Sequence, residues 1–548
     1  MKVVIIGGVA AGASCAARLR RLDEKADIVV LEKGAYVSFA NCGIPYHIGG
    51  TISERASLLL HTPESLKTRF NIDARVLNEV VSIDKDNKRV HVVNLQDNSE
   101  YDETYDKLVI ATGSTPIKPN IKGIDSSRIH SVWTVPNADE ILSDIKLNNA
   151  KDAVVVGGGF IGLEMCENLV EAGLNVSLVE ASNQVMAPLD IEMAKILHKH
   201  LIDKGIDLYL SNGVSEFIDH KDYVEVVLSD GTTISSDLVI LSIGIKPNSR
   251  LAIDAGIETG MRQGILVDDE MLTSDDDIYA AGDVVVVDNL LTAEPCMVPL
   301  AGPANKQGRI VANNIMGGHD IYEGSMGTSI AKIFDLDVAC TGLNEKHLQS
   351  MGLEHNIDYY SNIIVNKSHA GYYPGATPLY IKYIYSADNE CLLGCQVIGK
   401  EGVDKQVDVF ATCMFMNGCV EDLAELELSY APPFSSAKAP MNMAGFVANN
   451  VLDGLVELSD WDTPDIEDVC ILDVREKEEL EEFSFDNAIN IPLGQLRDRV
   501  KEVPEDMPIL IFCAVGVRAY NAARILMQNG YTDVRVYPGG VTFWRACH

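Results

Sequence analysis

Two cysteines stand where a sulfur atom can do chemistry. The first is Cys42, in Ser38-Phe-Ala-Asn-Cys-Gly-Ile-Pro45. It sits among small residues, shortly after a glycine-rich stretch near the N-terminus. No second cysteine follows it: the next positions are Gly43, Ile44, Pro45, Tyr46 and His47. A thiol that exchanges with disulfides needs a second sulfur, so the partner of Cys42 must come from elsewhere. The second is Cys513, in Cys513-Ala-Val-Gly-Val-Arg518, a CxxGxR loop after the apolar run Ile509–Phe512. A strand feeding a cysteine loop that opens a helix aims backbone N–H groups at the sulfur. Those donors and the helix N-terminus stabilise a thiolate or a persulfide anion. Arg518 then either closes the loop by bonding its carbonyls or holds an anionic substrate.

Reducing equivalents for such chemistry need carriers, and the sequence has room for two. Gly157-Gly-Gly-Phe-Ile-Gly162 is a full GxGxxG. It follows a strand pattern at 153–156 and opens a helical one, and a second strand pattern ends at Glu180, roughly twenty residues on. The glycines let the backbone approach a pyrophosphate, whose charge the helix N-terminus stabilises. Glu180 accepts hydrogen bonds from a ribose diol and repels a 2′-phosphate, which favours NADH over NADPH. Gly157, Gly159, Gly162, Glu180 and Gly244 are the expected NAD contacts. The first unit, Gly7-Gly-Val-Ala-Ala-Gly12, is less complete because Val9 replaces the middle glycine, but Glu32 again ends the second strand pattern. Two such units point to FAD plus a nicotinamide nucleotide. Three further segments support FAD. Val109-Ile-Ala-Thr-Gly-Ser114 runs from strand into glycine turn. Ile278-Tyr-Ala-Ala-Gly-Asp283 puts Asp283 at a strand end, placed to bond a ribityl hydroxyl. Pro299-Leu-Ala-Gly-Pro-Ala-Asn-Lys-Gln-Gly308 begins a helix that points its positive end at the flavin. The expected FAD contacts are Gly7, Gly8, Gly12, Glu32, Lys33, Thr112, Gly113, Asp283, Ala301 and Asn305.

With GGVAAG at Gly7, SFANCG at Ser38, ATGS at Ala111, GGGFIGLE at Gly157, YAAGD at Tyr279 and YAPPFSSAK at Tyr430, the chain resembles the flavin- and nicotinamide-dependent disulfide reductase superfamily. More narrowly, it is similar to coenzyme A disulfide reductases and NADH-dependent persulfide reductases. Many superfamily members carry a cysteine pair at this point; in the narrower group a lone cysteine pairs with an exogenous thiol, typically coenzyme A. The resemblance implies that Cys42 lies beside the flavin, takes reducing equivalents from it and exchanges with a substrate disulfide or persulfide. Asn41, the flavin and a tyrosine hydroxyl would lower its pKa or protonate the leaving thiolate. Tyr430 and Tyr372 are implied in that last role, offered across a homodimer interface, with Tyr373 the adjacent rival of Tyr372. For coenzyme A the candidates are Ser38, Phe39 and the cations Arg18, Arg21, Lys67 and Arg69, with Arg20 on the same helix as the first two. Related NADH oxidases and peroxidases also use one cysteine, cycling through a sulfenic acid. Their glycine turn carries a histidine where this chain has Ala10, which lowers that reading. The Cys513 loop, together with LDVRE at Leu472, NIPL at Asn490 and PGGVTFW at Pro538, resembles a single rhodanese domain, with the loop length of sulfurtransferases.

The bulk composition is compatible with this. The 548 residues are 47% hydrophobic and 23% charged, enough for several cores. A net charge of −36 argues against non-specific binding to nucleic acid or anionic membranes. No uncharged apolar run reaches about 18 residues, so no transmembrane helix is expected. The 12 cysteines are scattered without a CxxC pair, which suits a reducing cytoplasm. No metal site is expected: the histidines form no HExxH, and Cys391 and Cys395, on a strand with CxxxC spacing, lack histidines nearby. Cys15 and Cys166 read as helix-packing residues and Cys547 as exposed near the end of the sequence.

The expected fold class is α/β. Two Rossmann-like domains, one for FAD (1–110 and 246–321) and one for NAD (111–245), are joined to an α+β dimerisation domain (322–448). A linker (449–463) and an α/β rhodanese domain (464–548) follow. The expected activity is NADH-dependent reduction of persulfide or polysulfide sulfur by an FAD flavoenzyme, through coenzyme A, with release of sulfide. A coenzyme A disulfide reductase or NADH oxidase with an accessory sulfurtransferase is the enzymatic alternative. A redox-sensing sulfur carrier is the non-enzymatic one.

Overall fold

The computed structural model describes residues 1–147, 149–466 and 468–548, so Glu467 of the expected C-terminal domain lies outside it. The chain forms two compact units. The first comprises 1–183 and 205–327. Its two main sheets are built around the strands Lys2–Ile6 and Asp152–Val156. Both read as continuous apolar runs because central strands of a parallel sheet are covered on both faces. The first sheet is five-stranded and parallel, in the order Ile278–Ala280, Lys107–Ile110, Lys2–Ile6, Asp27–Glu32, Asp73–Val76. The second, also five-stranded and parallel, runs Asp207–Tyr209, Asn175–Val179, Asp152–Val156, Leu238–Leu241, Ile129–Ser131.

In each sheet the central strand passes through its glycine turn into a crossover helix, Ala10–Leu22 or Phe160–Glu171, and returns as the neighbouring parallel strand. The carboxyl ends of the strands therefore gather the glycine turns and the two acidic residues, where open α/β sheets bind ligands.

The second unit comprises 184–204 and 328–548. A five-stranded antiparallel sheet, in the order Ser329–Ile333, Leu336–Gly342, Leu392–Gly399, Pro378–Ser386, Tyr359–Lys367, packs against the helices Val403–Phe415 and Pro440–Leu452. The C-terminal sheet is parallel, in the order Glu457–Leu458, Val534–Val536, Ile509–Phe512, Cys470–Asp473, Ile489–Asn490. Two boundaries differ from the sequence reading. Residues 449–463 are not a free linker: a helix continues through Leu452, and Glu457–Leu458 pairs with Arg535 and Val536 as an edge strand. Residues 184–204, placed by sequence in the NAD-binding stretch, pack in the second unit. The reason is a buried ionic cluster. The fully buried ammonium of Lys382 bonds Glu192 and Glu345 and lies 2.9 Å from Asp190 Oδ2. Asp190 also takes a bond of 2.7 Å from Gln396. Among the described residues this is the one group of His, Cys, Asp or Glu side chains close enough together to hold a metal ion, and the Lys382 ammonium already sits among its three carboxylates.

Removing that ammonium leaves three carboxylates, two of them buried, facing one another without a cation. Replacing Lys382 with Met is expected to cost about 3–5 kcal/mol, read as a fall in the first calorimetric transition of the full-length protein. An unchanged melting profile contradicts the assignment.

Candidate active site

Glycine is required at the turns by close packing. A Cβ on Gly12 would stand 2.0 Å from Gly7 O, and one on Gly162 would stand 1.9 Å from Gly157 O. Gly7 and Gly157 also hold φ of +99° and +105°, which favours glycine. The acidic residues at the strand ends play matching roles. Glu32 accepts from Gly8 N at 2.9 Å and Gly34 N at 2.7 Å. Glu180 accepts from Gly158 N at 2.7 Å and from Ser182 N at 2.8 Å. Space for a Cβ is open at Gly159 and Gly113. These cradles fit two dinucleotides: each has a helix N-terminus for a pyrophosphate and a carboxylate for a ribose.

The other expected flavin contacts line the same unit. Asp283 accepts from Ser114 Oγ at 2.7 Å, and burial raises its pKa; a carboxylate without a cation suits a sugar hydroxyl. Thr112 is engaged with Asn248, its Oγ1 donating to Asn248 O at 2.8 Å. Ala301 opens the helix Ala301–Ile315, and Asn305 Nδ2 donates back to Ala301 O at 2.7 Å. Lys33 is exposed. Gly244, with φ of +109°, accepts from Ile117 N at 2.9 Å where the strand pair Ser114–Pro116 and Ile245–Pro247 begins.

Cys42 lies in the short turn Asn41–Gly43 and is exposed. Its N–H donates to Asn41 Oδ1 at 3.1 Å, and its thiol lies 3.7 Å from the same oxygen. Ser38, with φ of +51°, donates its N–H to Gly8 O at 2.7 Å, and Phe39 bridges to Leu59. This ties the cysteine segment to the first glycine turn. Within the chain the Cys42 thiol is pushed up, chiefly by desolvation and then by the charge of Glu164. The backbone hydrogen bond at Cys42 pulls the other way without offsetting them. Glu164 itself is pushed up to about 7 by burial, with the charge of Glu167 adding to the effect. Tyr46 donates to Glu164 Oε1 at 3.2 Å. Sequence reasoning passed over Glu164 although it is the last residue of GGGFIGLE; its position two residues after Gly162 was the available signal.

The basic candidates divide. Arg18 Nε is taken by Asn313 Oδ1 at 2.7 Å. Arg20 is buried and bonds the carbonyls of Phe70, Asp23, Glu24, Ala26 and Asn71, so it is structural. Arg21, Lys67 and Arg69 are exposed, Arg21 lying 5.9 Å from the Phe70 ring centroid and Lys67 bonding Asn71 Oδ1 at 2.9 Å.

In the second unit the hydroxyls of Tyr372 and Tyr430 meet at 2.7 Å, with 75% and 46% of those residues exposed. Tyr373 instead packs edge-on against His369. Two exposed aromatics joined by their hydroxyls form a polar tip aimed at solvent.

Cys513 follows the strand Ile509–Phe512 and is buried. Its sulfur accepts from Gly516 N at 3.1 Å, and Gly516 adopts φ of +104° to turn that amide inward. Val541 N and Thr542 N donate to the carbonyls of Cys513 and Ala514 at 2.8 and 3.0 Å, fixing the loop from behind. Of the two roles expected for Arg518, closing the loop through its carbonyls is not the one seen. Its guanidinium forks onto Glu479 at 2.6 and 2.7 Å and not onto the loop carbonyls. This pairing holds Glu479 down at about 2. LDVRE supplies a buried Asp473–Arg475 pair, and Asn490 of NIPL donates to the carbonyls of both residues. Cys547 is buried, not exposed, because the last helix, Gly540–Cys547, packs on the unit.

Three family models match the chain. The first, described as pyridine nucleotide-disulphide oxidoreductase, matches residues 1–308. The second, the dimerisation domain of the same family, matches 328–441. The third, rhodanese-like domain, matches 455–547. A relative named coenzyme A disulfide reductase, from Staphylococcus haemolyticus, is 34% identical over 451 residues, covering 82% of this chain and 100% of its own length. The solved structure of reduced CoADR-RHD from Bacillus anthracis superposes with a TM-score of 0.95 at 46% identity, covering 100% of this chain and 98% of that one. An NAD-dependent persulfide reductase from A. fulgidus gives a TM-score of 0.95 at 38% identity, covering 99% of this chain and 100% of that one.

The charge of Glu164 opposes a thiolate at Cys42, so Glu164→Gln is expected to move the midpoint of Cys42 alkylation down by roughly one pH unit. The measurement is the pH dependence of iodoacetamide labelling at the Cys42 peptide, followed by mass spectrometry. An unmoved or raised midpoint contradicts the electrostatic coupling.

Proposed function

We propose, from the premise that this chain belongs to the pyridine nucleotide-disulphide oxidoreductase family, that it uses NADH to reduce persulfide or polysulfide sulfur, with coenzyme A as carrier thiol, and releases sulfide. The observation that carries this reading is Cys42: a free, exposed thiol with an asparagine, and not a second cysteine, against its sulfur. The relatives named for coenzyme A disulfide and persulfide reduction, and the rhodanese-like domain, support it.

The family implies FAD and a nicotinamide nucleotide, and the glycine cradles of the first unit fit both. When bound, FAD supplies two-electron transfer from the nicotinamide to sulfur. The residues of the chain do the rest. The Cys42 thiolate attacks the carrier-bound sulfur of a coenzyme A persulfide; hydrosulfide leaves, and a Cys42–coenzyme A mixed disulfide forms. Two electrons then return that disulfide to two thiolates. Tyr430 and Tyr372, joined at their hydroxyls, protonate the leaving thiolate of the other protomer in a homodimer. Arg21, Lys67 and Arg69 offer charge to the phosphates of coenzyme A, and Ser38 and Phe39 border the cysteine segment. Glu180, followed by Ala181, Ser182 and Asn183, offers a ribose diol two acceptors and a 2′-phosphate no cation, which supports NADH. Cys513 carries sulfane sulfur, stabilised by the Gly516 amide, and passes it to coenzyme A. Carrying both thiols on one chain raises their effective concentration for each other. All 12 cysteines are free, in keeping with a reducing cytoplasm.

With NADH, polysulfide and coenzyme A, a Cys513→Ser variant is expected to release sulfide about tenfold or more slowly, while its rate with preformed coenzyme A persulfide stays intact. A full rate with polysulfide removes Cys513 from the mechanism. Faster turnover of coenzyme A disulfide than of the persulfide moves the assignment to disulfide reduction.

A further inference from the structure

We infer that Cys391 and Cys419 form a surface dithiol that a low-molecular-weight disulfide oxidises to an intrachain disulfide, a third sulfur site separate from Cys42 and Cys513. The two residues are partners across an isolated antiparallel bridge. Leu392 N donates to Gly418 O at 3.1 Å and Val420 N to Glu390 O at 3.2 Å. Their neighbours thus carry the hydrogen bonds, and the cysteines are the non-hydrogen-bonded pair. In such a pair the Cα atoms stand about 4.5 Å apart and the side chains leave the same face. That separation falls within the span of roughly 4.4–6.8 Å that a disulfide bridges. Both residues are partly exposed.

The CxxxC spacing in sequence points to Cys395 as the partner of Cys391, but four residues along a strand span about 13 Å, and Cys395 is buried. The Cys419 N–H donates to Asp422 Oδ2 at 2.8 Å, which anchors the cysteine backbone at the start of the helix Val420–Glu425. Cys413 is the third thiol of this neighbourhood. Partly exposed like the other two, it is pushed up to about 11 by burial first, then by Asp422 and Cys419.

The step balances as ordinary thiol–disulfide exchange. One cysteine thiolate attacks the disulfide RSSR, an S–S bond forms to the protein, and RS⁻ leaves. The other cysteine attacks the protein sulfur of that mixed disulfide and expels the second RS⁻. The cysteines give up two protons and two electrons, and RSSR becomes two RSH. The closed bridge pins the start of the helix Val420–Glu425, and with it the segment that runs on to Tyr430, to the turn before Leu392–Gly399.

This inference goes beyond the proposed reductase and does not rest on it. The test uses full-length protein carrying Cys42→Ser and Cys513→Ser, so neither reactive thiol takes part. After incubation with glutathione disulfide, the protein is alkylated, digested without reduction and mapped by mass spectrometry. The expected product joins the Cys391 and Cys419 peptides with loss of two hydrogens, and dithiothreitol separates them. With Cys391→Ser added, Cys419 is expected to carry glutathione instead. Glutathione on both cysteines without a joined peptide, or both recovered as alkylated free thiols, overturns the inference.

Discussion

Disulfide exchange takes two sulfurs, and at Cys42 the chain supplies one. Desolvation and the charge of Glu164 push the pKa of that single thiol up, and Asn41 offers only an acceptor oxygen close to it. The site is therefore incomplete by construction. In the proposed mechanism its second sulfur arrives with coenzyme A. In that mechanism the two dinucleotide cradles supply electrons to the Cys42 thiol and the Cys513 loop supplies sulfur to the carrier.

The fold meets that requirement with few means. Two parallel sheets end at glycine turns, and Glu32 and Glu180 each hold an amide of their own turn. Ser38 is tied to Gly8, which joins the cysteine segment to the first cradle. In the second unit the Cys513 loop is fixed from behind by the amides of Val541 and Thr542, and in front Gly516 turns its own amide to the sulfur. Charge is settled locally as well. Arg518 is paired with Glu479, and Lys382 with three carboxylates.

What was legible in the sequence was what depends on spacing along the chain. The glycine turns, their acidic partners about twenty residues on, the lone Cys42 and the CxxGxR loop all declare themselves because each is built from neighbours. What was hidden depends on distance in space. Glu164 gains its raised pKa from burial that no local pattern reveals. Arg518 reads as a loop or substrate ligand until Glu479, 39 residues upstream, takes its guanidinium. Arg20 sits among basic candidates in sequence yet is consumed by backbone carbonyls. Residues 449–463 are polar enough to read as a linker, but two of them complete a sheet whose other strands lie further on. Cys547 reads as exposed only because its packing partners are distant in sequence.

The most direct measurement is the redox partner of Cys42 in the FAD-loaded protein after exposure to coenzyme A disulfide. Mass spectrometry of the Cys42 peptide is expected to find coenzyme A joined to it, and anaerobic addition of NADH is expected to release that coenzyme A in a one-to-one ratio with the protein. A Cys42 disulfide to another cysteine of the chain, or NADH oxidation with no thiol released, would contradict the account.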